Sequence, residues 1–232
     1  ALPHFKTGSD ATAIGTGIHS AIEWALNSFE HAGAIKYDEM IEYAQNEVAI
    51  ELDKPSIKLT KISDQPIEPT VVAMVDSWIT NIAIAIEWNG TTELSFRYPS
   101  GLLASNGYSI WYEGTIDYID SNGTIWDWKT AGRKYYANEK QNKAHQPTVY
   151  CQFAKRHGQS DSDTQLFKFG VMLRKNKPEA QIVEITRDES HYRWLNRQTQ
   201  VIVNNALLSG VTNAWPMNDT SALCSQNWCD HW

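Results

Sequence analysis

Apolar residues return along this chain in two rhythms, and the change from one to the other divides it. Ile14, Ile18, Ala21, Ile22, Ala25, Leu26 and Phe29 recur at helical spacing, which predicts an amphipathic helix over 14–30 with one stripe turned to a core. A second helix is predicted over 37–51, a proline-containing link over 55–69 and a long helix over 71–87. After a strand near Glu93 the period drops to two: Ile110, Tyr112, Gly114, Ile116 and Tyr118 alternate with Trp111, Glu113, Thr115 and Asp117. Ser121-Asn122-Gly123 carries turn chemistry, because Asn and Gly tolerate positive φ, and 124–130 is again rich in β-branched and aromatic residues. These two segments predict a β-hairpin. A helix opening near Gln146, strands over 166–173 and 180–185 and a helix over 190–208 complete the pattern. The order predicts a single α/β domain over 1–232: a mainly helical part to residue 90, a sheet over 91–186, and a helix with a cysteine-containing tail over 187–232.

The hairpin carries ionisable side chains where a core strand should be apolar. If Ser121-Asn122-Gly123 forms the loop, Asp120 pairs with Thr124, and counting back sets Asp117 opposite Asp127, with Cβ atoms roughly 4.5–5.5 Å apart. Lys129 joins the same face. A two-residue Asn-Gly loop would instead set Trp128 opposite Asp117. Two carboxylates and a lysine on adjacent strands suit phosphodiester hydrolysis: hard oxygen ligands take Mg2+ or Mn2+, and a lysine orients water or stabilises transition-state charge. The plain alternative is an exposed Asp-Lys pair on a solvated face.

Three further positions qualify as candidates. His19 falls beside the apolar stripe of the first helix, where its i,i+4 neighbour Glu23 offers a simple pairing. Gln146 and Tyr150 share the same spacing, so a helix presents an amide and a phenol from one face, while Pro147 restricts that helix to beginning near Gln146. Glu93 is the candidate acid on the preceding strand, with Glu87 as its competitor; Glu113 shares the predicted face of Asp117 but lies further along it.

Gly114-Thr-Ile-Asp117 followed by Ile125-Trp-Asp127-Trp-Lys129-Thr130 resembles the core of the PD-(D/E)XK nuclease superfamily, particularly its RecB-type branch, which includes CRISPR-associated and phage exonucleases. Gly15-Thr-Gly-Ile-His19 resembles the branch's G-x-x-x-H motif, and Gln146-Pro-Thr-Val-Tyr150 its Q-x-x-x-Y motif, all in the family's order. The resemblance implies a restriction-endonuclease-like core, a central mixed β-sheet flanked by helices. It implies Mg2+ or Mn2+ held by His19, Asp117, Asp127, Glu93 and the Trp128 carbonyl. Lys129, with Asp117, Asp127, Gln146 and Tyr150, would be catalytic, and the substrate would be single-stranded DNA or DNA ends, cut by an exonuclease of replication, recombination or repair. Some relatives hold an iron–sulfur cluster with four cysteines. Here Cys224-Ser-Gln-Asn-Trp-Cys229 resembles part of that segment, Cys151 is the third cysteine, and none precedes His19, so an intact four-cysteine cluster is not expected.

With 232 residues and 42% hydrophobic content, the chain can bury one substantial core. No apolar run approaches a membrane span and the first residues lack the regions of a signal peptide, so an intracellular, cytoplasmic protein without a membrane partner is expected. The net charge of −7 weighs against nucleic acid until it is divided. Residues 1–120 carry 6 basic and 17 acidic groups, 121–180 carry 11 and 5, and 181–232 carry 3 and 5. Arg133, Lys134, Lys140, Lys143, Lys155, Arg156, Arg174, Lys175 and Lys177 would then form a wall of a DNA groove, with Arg133, Lys134 and Lys143 as the DNA-binding candidates. Among the ten tryptophans, Trp111, Trp126 and Trp128, with Tyr135, are candidates for stacking on unpaired bases. The competing functions are a structure-selective endonuclease or resolvase with the same core and a catalytically silent DNA-binding subunit. A carbohydrate-binding module would use the tryptophans but leave His19, Asp117, Asp127 and Lys129 unexplained.

Overall fold

The computed structural model describes residues 6–54, 57–61, 66–159 and 162–212, so Cys224 and Cys229 lie outside the described residues. Strand β1 (Lys6–Ser9) leads into α1 (Asp10–Ala32), where the Ser9 hydroxyl accepts from the Thr12 N–H at 3.3 Å and caps the first turn. Gly33, in the left-handed region at φ 69°, ends the helix. Helix α2 (Tyr37–Leu52) packs on α1 so closely that a Cβ on Gly17 would come within 2.4 Å of Val48 Cγ2. The predicted link contains a short strand, β2 (Ile57–Lys61), parallel to β1. Helix α3 (Ile67–Asn81) stops before the predicted end at residue 87 and is followed by a single 3-10 turn, Ala83–Ala85. The Tyr118 hydroxyl holds the next residues out of the helix: it donates to the Glu87 carbonyl and accepts from the Gly90 N–H, both at 2.9 Å.

The main sheet contains β3 (Thr91–Leu103), β4 (Ser109–Ile119), β5 (Ile125–Ala131), β6 (Gln165–Leu173) and β7 (Ala180–Arg187), in that spatial order. Strands β5 and β6 are parallel, while β4–β5 and β6–β7 are antiparallel, so the sheet is mixed. Helices α4 (Ala137–Lys143) and α5 (His145–Arg156) form the crossover between the parallel strands, and α6 (Glu189–Thr212) follows the last one. Ile18 and Ile22 of α1, Met40 of α2 and Met74 and Trp78 of α3 form one buried cluster with Trp126 and Trp128 of β5. The other face receives α5, where Phe153 stacks on Phe96 at 4.4 Å. Strand β5 is therefore buried on both sides, which is why it tolerates polar residues only where they have partners.

The β4–β5 register is that of a three-residue loop. Ile119 pairs with Ile125 and Tyr118 with Trp126, and the Asp120 N–H donates to the Thr124 carbonyl at 3.0 Å. The Asp120 carboxylate locks the turn by accepting from the Asn122 and Thr124 N–H groups and from the Trp126 indole, at 2.8–3.0 Å. Gly123, at φ 76°, supplies the left-handed residue.

The described residues of Ala1–Phe96 and Glu113–Tyr192 gather into one compact unit, and those of Arg97–Tyr112 and Arg193–Trp232 into a second. In the first, Asp188 precedes α6 and accepts from the Ser190 and His191 N–H groups at 3.0 and 3.3 Å, from the Ser190 hydroxyl at 2.6 Å, and pairs with His191 Nδ1 at 2.7 Å. The Ser190 hydroxyl first, then His191, hold this carboxyl well below the usual carboxylate range. A carboxyl whose pKa falls on folding contributes stability above its unfolded pKa, and that contribution is lost as pH falls towards its folded one. Asp188→Ala is thus expected to lower Tm at pH 7 by about 2–4 °C, the size of a helix cap in a chain of this length. The gap should narrow below about pH 4, where the unfolded carboxyl takes up its proton; thermal melts of both proteins across pH 3–7 check this. In the second unit, α6 backs the turn-proximal half of the β3–β4 hairpin, with the Tyr112 and Thr199 hydroxyls 2.8 Å apart and the Gln200 amide donating to the Leu103 carbonyl at 2.7 Å.

Candidate active site

The β4–β5 ladder runs through Tyr118 and Trp126, and the next polar contact changes its character. The Trp128 N–H, which a continued ladder would give to a carbonyl of β4, donates instead to Asp117 Oδ2 at 2.7 Å. Trp126 and Trp128 join the helical core, so Asp127 and Lys129 take the opposite face of β5. Lys129 Nζ lies 2.5 Å from Asp127 Oδ2, and the Gln146 amide at the start of α5 donates to Asp127 Oδ1 at 3.0 Å. The second N–H of that amide meets the Tyr150 hydroxyl, also at 3.0 Å. Pro147 lies in the first turn of α5, where its missing N–H costs nothing, and the helix keeps Gln146 and Tyr150 on one face.

From α1, His19 Nδ1 stands 3.7 Å from Asp117 Oδ2. The helix comes this near the sheet because Gly15 has no side chain: a Cβ there would meet Thr130 Oγ1 at 3.0 Å. Burial first, and then the Lys129 charge, lower the His19 imidazole to about 4, against the opposing pull of Asp127 and a hydrogen bond to the Trp128 carbonyl. It is neutral at physiological pH, the form that ligates metals. Asp127 is fully buried. Burial pushes its carboxyl up to about 6, opposed by Lys129 and reinforced by Asp117. Burial likewise raises Asp117, against the Trp128 N–H and Lys129. Lys129 stays protonated, since Asp127 and Asp117 outweigh its own desolvation.

Glu93 lies on the exposed side of β3 with a backbone φ of 46°, inside the left-handed region that a glutamate rarely adopts. Desolvation first, then the charges of Asp117 and Glu23, lift its carboxyl to about 7. Glu87 and Glu113 are exposed. Among the described residues no three His, Cys, Asp or Glu side chains already converge as a metal cage. The donor set nevertheless fits a hard divalent cation. It consists of an imidazole nitrogen and carboxylate oxygens, and the buried Asp127 Oδ2 makes no directed hydrogen bond, its close neighbour being the Lys129 ammonium.

Other expectations change. Trp126 and Trp128 are 0% and 2% exposed and belong to the core, so they offer no stacking platform; Trp111 is 48% exposed. Part of the predicted basic wall is paired with acids that a linear count does not place. Lys134 and Lys175 both reach Glu179, Lys155 reaches Asp163 at 3.4 Å, and Lys168, outside that predicted wall, pairs with Glu184 across the β6–β7 ladder at 2.9 Å. Arg133 is exposed, and the Lys143 side chain lies outside the described residues. Tyr135 is half-buried beneath the Lys140 ammonium, 3.7 Å from its ring centre. Arg187, which carried no sequence signal, is buried behind the site. It donates to the Thr148 hydroxyl at 2.8 Å and to the carbonyls of Lys140, Ala144 and Thr186 at 2.8–3.3 Å.

A five-stranded mixed sheet flanked by helices, with an acid–lysine pair at its centre, defines a restriction-endonuclease-like α/β protein. The sequence matches the PD-(D/E)XK nuclease superfamily over residues 3–232, and the chain belongs to that superfamily. Among solved structures it is similar to a "Putative exonuclease" from Eubacterium rectale, with 11% identity, a TM-score of 0.49 and coverage of 86% of this chain and 71% of that one. It is also similar to the protein SSO0001, with 10% identity, a TM-score of 0.34 and coverage of 89% and 80%. No curated protein sequence matches it. Among the described residues no helix is long and apolar enough to cross a membrane.

Proposed function

We propose that this protein is a divalent-metal-dependent DNA exonuclease that trims DNA ends during replication, recombination or repair. Membership of a nuclease superfamily supports hydrolysis of phosphodiesters. The observation that carries the reading is the buried Asp127–Lys129 pair, with the Gln146–Tyr150 tether on its other carboxylate oxygen. His19, Asp117 and Asp127, with Glu93 and the Trp128 carbonyl, would hold Mg2+ or Mn2+. Such an ion supplies Lewis acidity and makes water more acidic. Lys129, protonated and fixed by Asp127, orients the attacking water and places positive charge beside the phosphoryl oxygens as they gain negative charge. The Gln146 amide fixes the Asp127 carboxylate and the Tyr150 phenol together, so both hold their positions against the substrate. His19 stays neutral, and the Trp128 N–H orients the Asp117 carboxylate.

The test uses linear single-stranded and duplex DNA, labelled separately at each end, and a covalently closed circle, with Mg2+ or Mn2+ and with chelator. Loss of label from linear DNA only, dependent on metal, is expected. Opening of the closed circle would turn the assignment to an endonuclease or resolvase, and intact DNA under every condition would turn it to a silent DNA-binding subunit.

A further inference from the structure

The sheet surface beside the Asp127–Lys129 pair is aromatic, and it leads to a cation. Phe169 of β6 is the parallel-ladder partner of Asp127, so the two side chains share a face on strands about 4.8 Å apart. The centre of the Phe169 ring lies 4.9 Å from that of Phe167 and 5.9 Å from that of Tyr135, which meets it edge to face. Tyr135 is pinned to β7: its N–H donates to the Gln181 side chain at 3.2 Å, and its carbonyl accepts from the same amide at 2.9 Å. The Lys140 ammonium of α4 stands 3.7 Å from the centre of the Tyr135 ring and 5.7 Å from that of Phe169.

Lys134 and Lys175 are held by Glu179 and Lys155 by Asp163, but among the described residues no carboxylate lies within ion-pair distance of the half-buried Lys140 ammonium. Helix α4 has anchors other than this side chain. The Lys140 carbonyl accepts from Arg187 at 3.0 Å, and Gln141 exchanges hydrogen bonds with the Thr186 backbone. Burial first lowers the pKa of the ammonium; the exposed Glu139 opposes this, Lys129 adds to it and Asp127 opposes it. Lys140 and the Asp127–Lys129 pair therefore lie in one another's field. Aromatic rings hold a cation in place, but one partly withdrawn from water still gains from an anion. DNA offers an anion at every nucleotide. We propose that Lys140 binds a backbone phosphate next to the one being cut, with Tyr135 and Phe169 holding its ammonium in place. The scissile phosphate is left to Lys129, which Asp127 already fixes. A grip one phosphate away sets the position of the strand against that pair. DNA as the ligand rests on the nuclease reading; the anion site itself rests on the unpaired ammonium and its place beside Asp127.

The test measures fluorescence anisotropy of a labelled 15-nucleotide single strand over a range of salt concentrations, with chelator present so that nothing is cut. The full-length protein is compared with Lys140→Met and Lys140→Gln, which remove the charge, and with Lys140→Arg, which keeps it, each first checked by a thermal melt. Methionine retains an apolar stem against Tyr135 and Phe169. Both uncharged variants are expected to weaken binding about tenfold and to lower the salt slope by about 0.7, one contact on a single strand. Lys140→Arg, which can also stack on an aromatic face, stays within about threefold with its slope intact. Unchanged affinity in the uncharged variants overturns the proposal, as does failure of the unsubstituted protein to bind the strand. A loss of affinity with the salt slope unchanged makes Lys140 a prop for Tyr135 and overturns it too. Hydrolysis of thymidine 5′-p-nitrophenyl phosphate by the unsubstituted protein, with Mn2+, is measured in parallel. If that reaction is absent while Lys140→Met still loses DNA and slope, the nuclease reading falls and the phosphate contact stands.

Discussion

Lys129→Ala is expected to reduce DNA turnover by about 10²–10³-fold, the usual consequence of removing one preorganised charge from a developing oxyanion. Two effects would contribute, and they can be separated. The first is the loss of the ammonium itself. The second acts through Asp127, which is fully buried and whose close cation is Lys129 at 2.5 Å. Without it, burial and Asp117 both push the Asp127 carboxyl above its already raised value, so the group takes up a proton or strains the fold. Asp127→Asn in the Lys129→Ala background removes that buried charge while keeping the contact with Gln146. The double variant should therefore regain thermal stability lost by the single one and regain no turnover. Single-turnover cleavage of end-labelled DNA and thermal melts of both variants provide the comparison. Turnover within about fivefold of the unsubstituted protein in Lys129→Ala would remove the lysine from the mechanism.

What the sequence makes legible here follows the physical range of each signal. Helix α1 is readable because Ile14, Ile18, Ile22 and Leu26 must all face one core. The hairpin register is readable because Asn122 and Gly123 specify a turn and the pleat then fixes each side chain's face. The paired strands β1 and β2 are four and five residues long and leave no comparable pattern. Helix α4 is polar after Ala137 and lacks a stripe; its Gln141 amide exchanges hydrogen bonds with the Thr186 backbone at 3.0 and 3.1 Å. The pairing of Lys168 with Glu184 is hidden for a related reason, since the β6–β7 register, rather than proximity in the chain, brings the two together. Trp126 and Trp128 have the alternation of a half-exposed strand, but three helices cover that face. Asp117, Asp127, Lys129, Gln146 and Tyr150 are local in sequence and come together, whereas Arg187 acts on them from a strand further along the chain.

Arg187→Met is expected to impair both stability and turnover, because Arg187 joins the fold to the site. Arg187 is 1% exposed, and the partners of its guanidinium are a hydroxyl and three carbonyls. Two of those carbonyls, Lys140 and Ala144, lie at the end of α4, where the Ala144 N–H and the Thr148 hydroxyl are their other donors. The Thr148 hydroxyl belongs to the first turns of α5. One side chain thus clamps the α4–α5 junction to β7, and Gln146, which holds Asp127, lies between Ala144 and Thr148. Methionine fills much of the volume but removes the charge-assisted bonds, while the three carbonyls keep the Ala144 N–H, the Thr148 hydroxyl and the Gln141 amide as donors, a loss of about 1.5–3 kcal/mol. Denaturant unfolding should show that loss as a lower midpoint with an unchanged slope. Lysine retains the charge but not the planar fork that reaches Thr148 and both ends of the clamp, so Arg187→Lys should recover little. A site effect should appear as a lower kcat under conditions where the variant remains folded, with KM for DNA nearly unchanged, because Gln146 positions the reacting groups rather than gathering substrate. Full kcat in a destabilised Arg187→Met protein would confine the arginine to the fold.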